Sequence, residues 1–212
     1  MIEAVIFDFD GVIGDTMKDN CLAWQNAFAH YGFEMNETEY YRLEGMGRYQ
    51  IAEHFITNYN LNPEIKKEVA ALKEENYKKN NRFKIYDHVF EIFEYLKSKN
   101  ILTAIVTGAS RERISEHLDK KIASQINALI TADDVTNTKP NPEPYLKAIQ
   151  KLNKPADKCL VIENAILGLE SAIKAGCKAY ALETTLSKED LNQAEQVFAN
   201  HKELLTKFES QF

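Results

Sequence analysis

The apolar run Ala4-Val5-Ile6-Phe7, ending in Asp8-Phe9-Asp10-Gly11, constrains this chain more than any other stretch. Val, Ile and Phe in an unbroken run read as a strand buried on both faces. The glycine behind the second acid signals a turn. Residues i and i+2 of a strand point the same way. The spacing therefore sends the carboxyl groups of Asp8 and Asp10 from the strand's C-terminal end into one site. Like charges held that close repel, and a stable fold keeps them with a cation or a shared proton. The competing reading is an Asx-type turn with both carboxylates in water. This stretch alone does not decide between them.

Strand and helix patterns alternate from Ile85 onward. Val89, Ile92, Phe93 and Leu96 form a helical stripe behind Asp87 as N-cap. An apolar strand over 101–106 ends at Thr107-Gly108, and a polar helix is expected from Ser110 to about Lys121. After a short strand at 128–130, Lys139-Pro140-Asn141-Pro142 opens a helix through Tyr145, Leu146 and Ile149. A strand at 160–162 ends at Glu163-Asn164. The next helix, 165–175, stops at Gly176 as its C′ residue. A last strand covers 177–182, and Leu204, Leu205 and Phe208 mark a helical tail. This alternation predicts an α/β fold, a Rossmann-like doubly wound parallel sheet with right-handed crossovers.

A purely helical block separates the first strand from the rest. Leu22, Ala23, Phe28 and Tyr31 surround Trp24, Glu37 to Leu43 follow, then Ile51, Phe55 and Tyr59, then Ile65, Val69 and Leu72, all at helical spacing. Two domains are expected, one inserted in the other: a core of 1–15 and 83–212, and an all-helical cap of 16–82. At 212 residues and 44% hydrophobic, the chain has enough apolar surface for both. A net charge of -6 argues against nucleic acid as a partner. Cys21, Cys159 and Cys177 are odd in number and lack ligand spacing, so reduced thiols are expected rather than disulfides or zinc. With no basic-then-apolar leader and no membrane-length run, a soluble, cytoplasmic protein is expected, and a monomer because no interface stripe shows.

Ligands of an open parallel sheet bind beyond the C-terminal strand ends. Asp8 and Asp10, Thr107-Gly108, Glu163-Asn164 and, just past the third strand, Lys139 all fall on that edge. Singly, each has an ordinary reading as a turn, a solvated lysine or a helix cap. Together they make a kit for holding a phosphate against a hard metal ion. Thr107 and the amides of Gly108 and Ala109 suit phosphate oxygens, Lys139 supplies a point charge, and the oxygen donors suit Mg²⁺.

These motifs resemble the haloacid dehalogenase superfamily: Asp-x-Asp-Gly-Val, then Thr-Gly-x-Ser, then Lys-Pro-x-Pro-Glu, then an acid before Gly-Leu-Glu-Ser-Ala. The helical insertion after the first motif is similar to its β-phosphoglucomutase and phosphoglycolate-phosphatase branch. The resemblance implies that Asp8 attacks phosphorus to form an aspartyl-phosphate. It implies that Asp10 protonates the leaving oxygen and then activates water. Mg²⁺ would be held by Asp8, the Asp10 carbonyl, Glu163 and Asn164, with Gly11, Thr107, Gly108, Ala109 and Lys139 around the phosphoryl group. Gly45, Met46, Gly47 and Arg48 of the cap, with Glu44 beside them, would meet the leaving group. Asp10 argues against a true dehalogenase, which needs neither this acid nor the metal.

Three positions depart from the family pattern. Asn164 stands where an acid is usual. Asn20 and Glu44 replace a histidine and a lysine of the mutase, whereas Arg48 and Lys73 match its cap cations. Tyr86-Asp87 replaces a Pro-Gly at the second connection. The expected activity is a Mg²⁺-dependent phosphatase for a small phosphorylated metabolite, a sugar phosphate in the first instance. A sugar-phosphate mutase and a non-catalytic phosphometabolite-binding module are the alternatives.

Overall fold

The computed structural model describes residues 1–212 in full. Its strands are β1 (Ala4–Phe7), β2 (Leu102–Val106), β3 (Ala128–Ile130), β4 (Cys159–Glu163), β5 (Lys178–Leu182) and β6 (Gln196–Phe198). All pair in parallel in the order β3-β2-β1-β4-β5-β6. The chain first builds outward from β1 through β2 to β3, then returns to place β4 on the other side of β1. That reversal opens a crevice beyond the strand ends. Asp8 and Glu163 border it.

Alternate residues of β1 feed the two faces of the sheet. Val5 and Phe7 pack with Val89, Ile92 and Phe93 of α5 (Val89–Ser98) and with Leu204 and Phe208 of the last helix. Ala4 and Ile6 meet Tyr145, Ala148, Leu169 and Ala172 on the opposite face. A strand covered on both sides requires the unbroken apolar run that the sequence shows. The helices before α5 are α1 (Met17–Ala29), α2 (Glu37–Tyr41), α3 (Arg48–Asn58) and α4 (Lys66–Asn80). They gather a third cluster around Trp24, Phe28, Ile51, Phe55 and Val69. Two connections join this block to the sheet side by side: Gly14 bridges Ile85, and the Asp15 N–H donates to the Lys84 carbonyl at 2.9 Å.

The remaining helices are α6 (Arg111–His117), α7 (Lys120–Ala123), α8 (Glu143–Leu152), α9 (Ile166–Lys174) and α10 (His201–Gln211). Several local expectations are corrected. Asp87 does not cap α5; His88, at φ +66°, holds the N-cap position without a side-chain bond. Tertiary contacts fix that entry instead, as Tyr86 stacks on His201 at 4.8 Å and its N–H reaches the Ile13 carbonyl at 3.0 Å. The polar helix after Ser110 breaks at Leu118, because Asp119 caps a new turn by accepting the Lys121 N–H at 2.7 Å. In α1 the inward stripe is Cys21, Trp24 and Phe28, while Leu22 is 49% exposed. Tyr59 and Leu146 likewise face outward. The edge strand β6 was not expected. The three cysteines are buried free thiols, and no helix is long and apolar enough to cross a membrane.

Candidate active site

Asp8 continues β1 by one residue, donating its N–H to the Ile162 carbonyl at 3.0 Å, so the sheet itself aims its side chain into the crevice. Lys139, 2% exposed, donates to Asp8 Oδ1 at 2.5 Å and to Glu163 Oε1 at 2.6 Å. Burial works against the Lys139 charge, and the two carboxylates more than offset it, so the ammonium is held protonated. For Asp8, burial pushes the carboxyl up to about 8, with Lys139 opposing and Glu163 adding to the rise. Lys139 is the cation paired with Asp8.

Glu163 is saturated. Its Oε1 also accepts from the Tyr145 hydroxyl at 2.7 Å, and its Oε2 takes the N–H groups of Asn164 and Ala165 at 3.0 and 3.2 Å. A carboxylate offers about four lone-pair sites, and all are used here. In this arrangement Glu163 anchors Lys139 and holds the turn that leads into α9. Gly168 makes that possible, since a Cβ there would lie 1.9 Å from Glu163 Oε1.

Asp10 takes a different environment. Its Oδ1 accepts from Thr16 Oγ1 at 2.6 Å, Asn20 Nδ2 at 3.3 Å and Arg113 Nη2 at 2.5 Å. Burial alone would raise its pKa, but Arg113 and the Thr16 hydroxyl bring it below the usual carboxylate range. Arg113 is 6% exposed, lies 4.5 Å over the Tyr77 ring, and touches Asn20 Oδ1 at 3.3 Å. Asn20 Oδ1 also accepts from Lys73 at 2.8 Å. Burial and the neighbouring Arg113 charge push Lys73 down to about 8. A carboxylate after β1 is therefore held by one side chain from α6 and by two residues from the helical block.

Asn164 donates both amide hydrogens, to Glu44 Oε2 at 3.1 Å and to Thr185 Oγ1 at 3.2 Å. Its Oδ1 is the atom left to offer a ligand. Gly11, at φ +84°, passes directly beneath, where a Cβ would sit 2.1 Å from the Asn164 nitrogen. Glu44 is 4% exposed, and its Oε1 has no hydrogen-bond partner.

These groups surround a cavity of about 310 Å³ between the sheet edge and the helical block, at the small end of ligand pockets. Asp8, Asp10, Gly108, Ala109, Glu163 and Asn164 line it from the sheet, and Gly45, Met46, Gly47 and Arg48 from the block. Gly11, Thr107 and Lys139 do not reach its wall. Gly11 lies under Asn164, Lys139 is covered by Gly45, and the Thr107 hydroxyl accepts the Ala109 N–H at 3.0 Å. Ala109's amide is thereby occupied, and Gly108's is not so engaged. The block is tied down by Arg42–Asp190 and Lys78–Glu112 at 2.8 Å each, and by the Gly47 N–H on Thr138 Oγ1 at 3.3 Å.

No three His, Cys, Asp or Glu side chains gather tightly enough to hold a metal by themselves. A hard cation fits the donors nonetheless. Asp8, Glu44 and Glu163 are all buried on one cavity, Lys139 pairs with Asp8 and Glu163, and one oxygen of Glu44 has no partner. Asp8, the Asp10 carbonyl and Asn164 Oδ1 would supply the few oxygen donors that Mg²⁺ accepts while keeping waters. Sequence reasoning missed Arg113, Tyr145 and Gly168. Arg113 sits on a polar helix with no pattern to show which face turns inward. Tyr145 read as core, and it is core, with its hydroxyl on Glu163.

A family model described as haloacid dehalogenase-like hydrolase matches residues 5–182. The phosphorylated carbohydrates phosphatase of Thermotoga maritima is 29% identical over 181 residues, 82% of this chain and 82% of that protein. Fructose-1-phosphate phosphatase YqaB of Escherichia coli is 28% identical over 182 residues, 82% of this chain and 93% of its own. The crystal structure of β-phosphoglucomutase from Clostridium difficile superposes with a TM-score of 0.83 at 26% identity, covering 100% of this chain and 96% of the other. The chain belongs to the haloacid dehalogenase-like hydrolases, in the branch that includes the β-phosphoglucomutase-like proteins.

Proposed function

We propose that this protein is a Mg²⁺-dependent phosphatase that hydrolyses a small sugar phosphate through an aspartyl-phosphate. The observation that carries the reading is the pairing of two carboxylates with opposite environments on one cavity. Asp8 is held against Lys139 at 2.5 Å, and Asp10 is held apart by Arg113 and Thr16. Two acids on one cavity, each with its own cation, can divide nucleophilic attack and proton transfer between them.

An Asp8 oxygen attacks phosphorus and the bond to the leaving oxygen breaks. Asp10, which Arg113 and Thr16 keep ionised in the bare chain, takes up a proton as the anionic substrate binds and gives it to that oxygen. Asp10 then takes a proton from water as the water attacks phosphorus, which frees phosphate and regenerates Asp8. Lys139 keeps Asp8 and Glu163 in register, and the Gly108 amide faces the transferring oxygens, so acceleration is chiefly preorganised electrostatics. Bound Mg²⁺, held by Asp8, the Asp10 carbonyl and Asn164, would neutralise the phosphoryl oxygens. The helical block is the cap, residues 16–82, and it excludes water when closed. The similarity to phosphatases of phosphorylated carbohydrates and of fructose 1-phosphate supports a sugar phosphate. Asn20 and Glu44, in place of cap cations, favour hydrolysis over a mutase that must hold a bisphosphate.

Phosphate release is measured across hexose, pentose and triose phosphates, with and without Mg²⁺, for the wild type and Asp8→Asn. Metal-dependent release that disappears in the variant is expected. No release from any ester at saturating Mg²⁺ would overturn the reading, and isomer interconversion with added bisphosphate would then establish the mutase.

A further inference from the structure

Glu44 is a buried acid from the cap with nothing on one of its oxygens. It sits on the loop after α2, 4% exposed, and lines the cavity together with Asp8 and Asn164. Its Oε2 accepts from Asn164 Nδ2 at 3.1 Å and from Thr185 Oγ1 at 3.3 Å, whereas Oε1 has no partner. An unpaired buried carboxylate oxygen is costly, and native structures retain one where something else completes it.

The partner it has chosen is informative. Asn164 is where the motif usually carries an acid, and an acid there would place two carboxylates about 3 Å apart, a strong repulsion. The amide converts that clash into a hydrogen bond. The same bond commits the Asn164 nitrogen, so that Oδ1 is the ligand atom. The carboxyl group at this corner of the cavity thus comes from the cap loop rather than from the sheet edge.

We infer that Glu44 belongs to the cation site as a positioning residue: it orients Asn164 and supplies, from the closed cap, the negative charge that Asn164 lacks. Groups that orient metal ligands typically govern affinity as strongly as this. Cap closure and Mg²⁺ binding are then linked, because the carboxylate arrives only with the cap, and each stabilises the other. The inference rests on the Mg²⁺ reading above.

The test is calorimetric titration of the full-length chain with Mg²⁺ alone, without substrate, for the wild type, Glu44→Gln, and Glu44→Gln combined with Asn164→Asp. Glutamine keeps the shape and one acceptor for Asn164. Glu44→Gln is expected to weaken Mg²⁺ binding about tenfold or more, and the double variant to recover it by returning the carboxylate to the sheet edge. Thermal melts give a second readout. Glu44→Gln is expected to gain less in melting temperature than the wild type when Mg²⁺ is added. Equal Mg²⁺ affinity in wild type and Glu44→Gln would overturn this inference and leave the phosphatase reading standing. Weakening that Asn164→Asp does not reverse would also overturn it, as damage to the cavity rather than lost charge. A wild-type chain that binds no Mg²⁺ would overturn both.

Discussion

Replacing Arg113 with methionine removes the guanidinium from Asp10 while keeping much of the side chain's bulk. In the native chain Nη2 lies 2.5 Å from Asp10 Oδ1, and the arginine is 6% exposed. Breaking a buried pair from one side costs about 3–5 kcal/mol, because the other charge is left uncompensated. Thr16 and Asn20 still donate to Asp10, and Lys73 contributes a further positive charge nearby. The low end, about 3 kcal/mol, therefore applies. At about 2–4 °C per kcal/mol for a chain of this size, the melting temperature falls by about 6–12 °C near neutral pH. The pH dependence separates charge from packing. With Arg113 present, Asp10 titrates below its unfolded value, so the pair stabilises above that value and its contribution is lost only as pH falls through the lower, folded one. Without Arg113, burial is less opposed and the Asp10 pKa rises. Acid then protonates Asp10 in the variant while the native pair persists, which removes the variant's unpaired charge. Circular-dichroism melts at about pH 7.5 and about pH 4.5 are expected to show the wild-type-to-variant gap narrowing in acid. A drop below about 1 °C at neutral pH would refute the reasoning. A gap of equal size at both pH values would show that Arg113 acts through its packing on Tyr77.

Two further outcomes follow from the same contacts. Gly168→Ala would place a Cβ 1.9 Å from Glu163 Oε1; overpacking of about 1–3 kcal/mol should exceed the about 1 kcal/mol that alanine gains in a helix, and an unchanged or higher melting temperature would contradict this. His201 is 5% exposed, with Nε2 donating to the Val12 carbonyl at 2.6 Å, and burial holds its pKa below the ordinary value. As pH falls through about 6.5, the unfolded chain takes up a proton that the native state refuses, so stability declines. His201→Phe should flatten urea-measured stability between about pH 6.5 and 5, and an unaltered slope would count against a buried neutral imidazole.

The sheet and the residues at its edge were legible because chemistry and topology point the same way. An apolar run that stops at Asp8, or at Glu163, marks a strand end, and strand ends in a parallel sheet share one edge. What the sequence did not show lies in pairings across long separations. Arg113 meets Asp10 from 103 residues away, and nothing in its helix's polar pattern singles it out. The saturation of Glu163 depends on Tyr145 and Gly168, two residues that local patterns explain without reference to any site. The strand β6, Gln196-Val197-Phe198, lacks the all-apolar run that marks the equally short edge strand β3, so it does not register as a strand. The failed cap at Asp87 and the break after His117 have one origin. Tertiary packing of Tyr86 and a competing aspartate at Asp119 override propensities worth less than about 1 kcal/mol.

The central claim is that Asp8 carries the phosphoryl group. A single turnover with an ester found active in the release assay, quenched in acid and digested for mass spectrometry, tests it most directly. A phosphoryl adduct is expected on the peptide that contains Asp8, absent from Asp8→Asn and accumulating when Asp10→Asn slows its hydrolysis. Turnover at the wild-type rate in Asp8→Asn, or an adduct on any other residue, would contradict it.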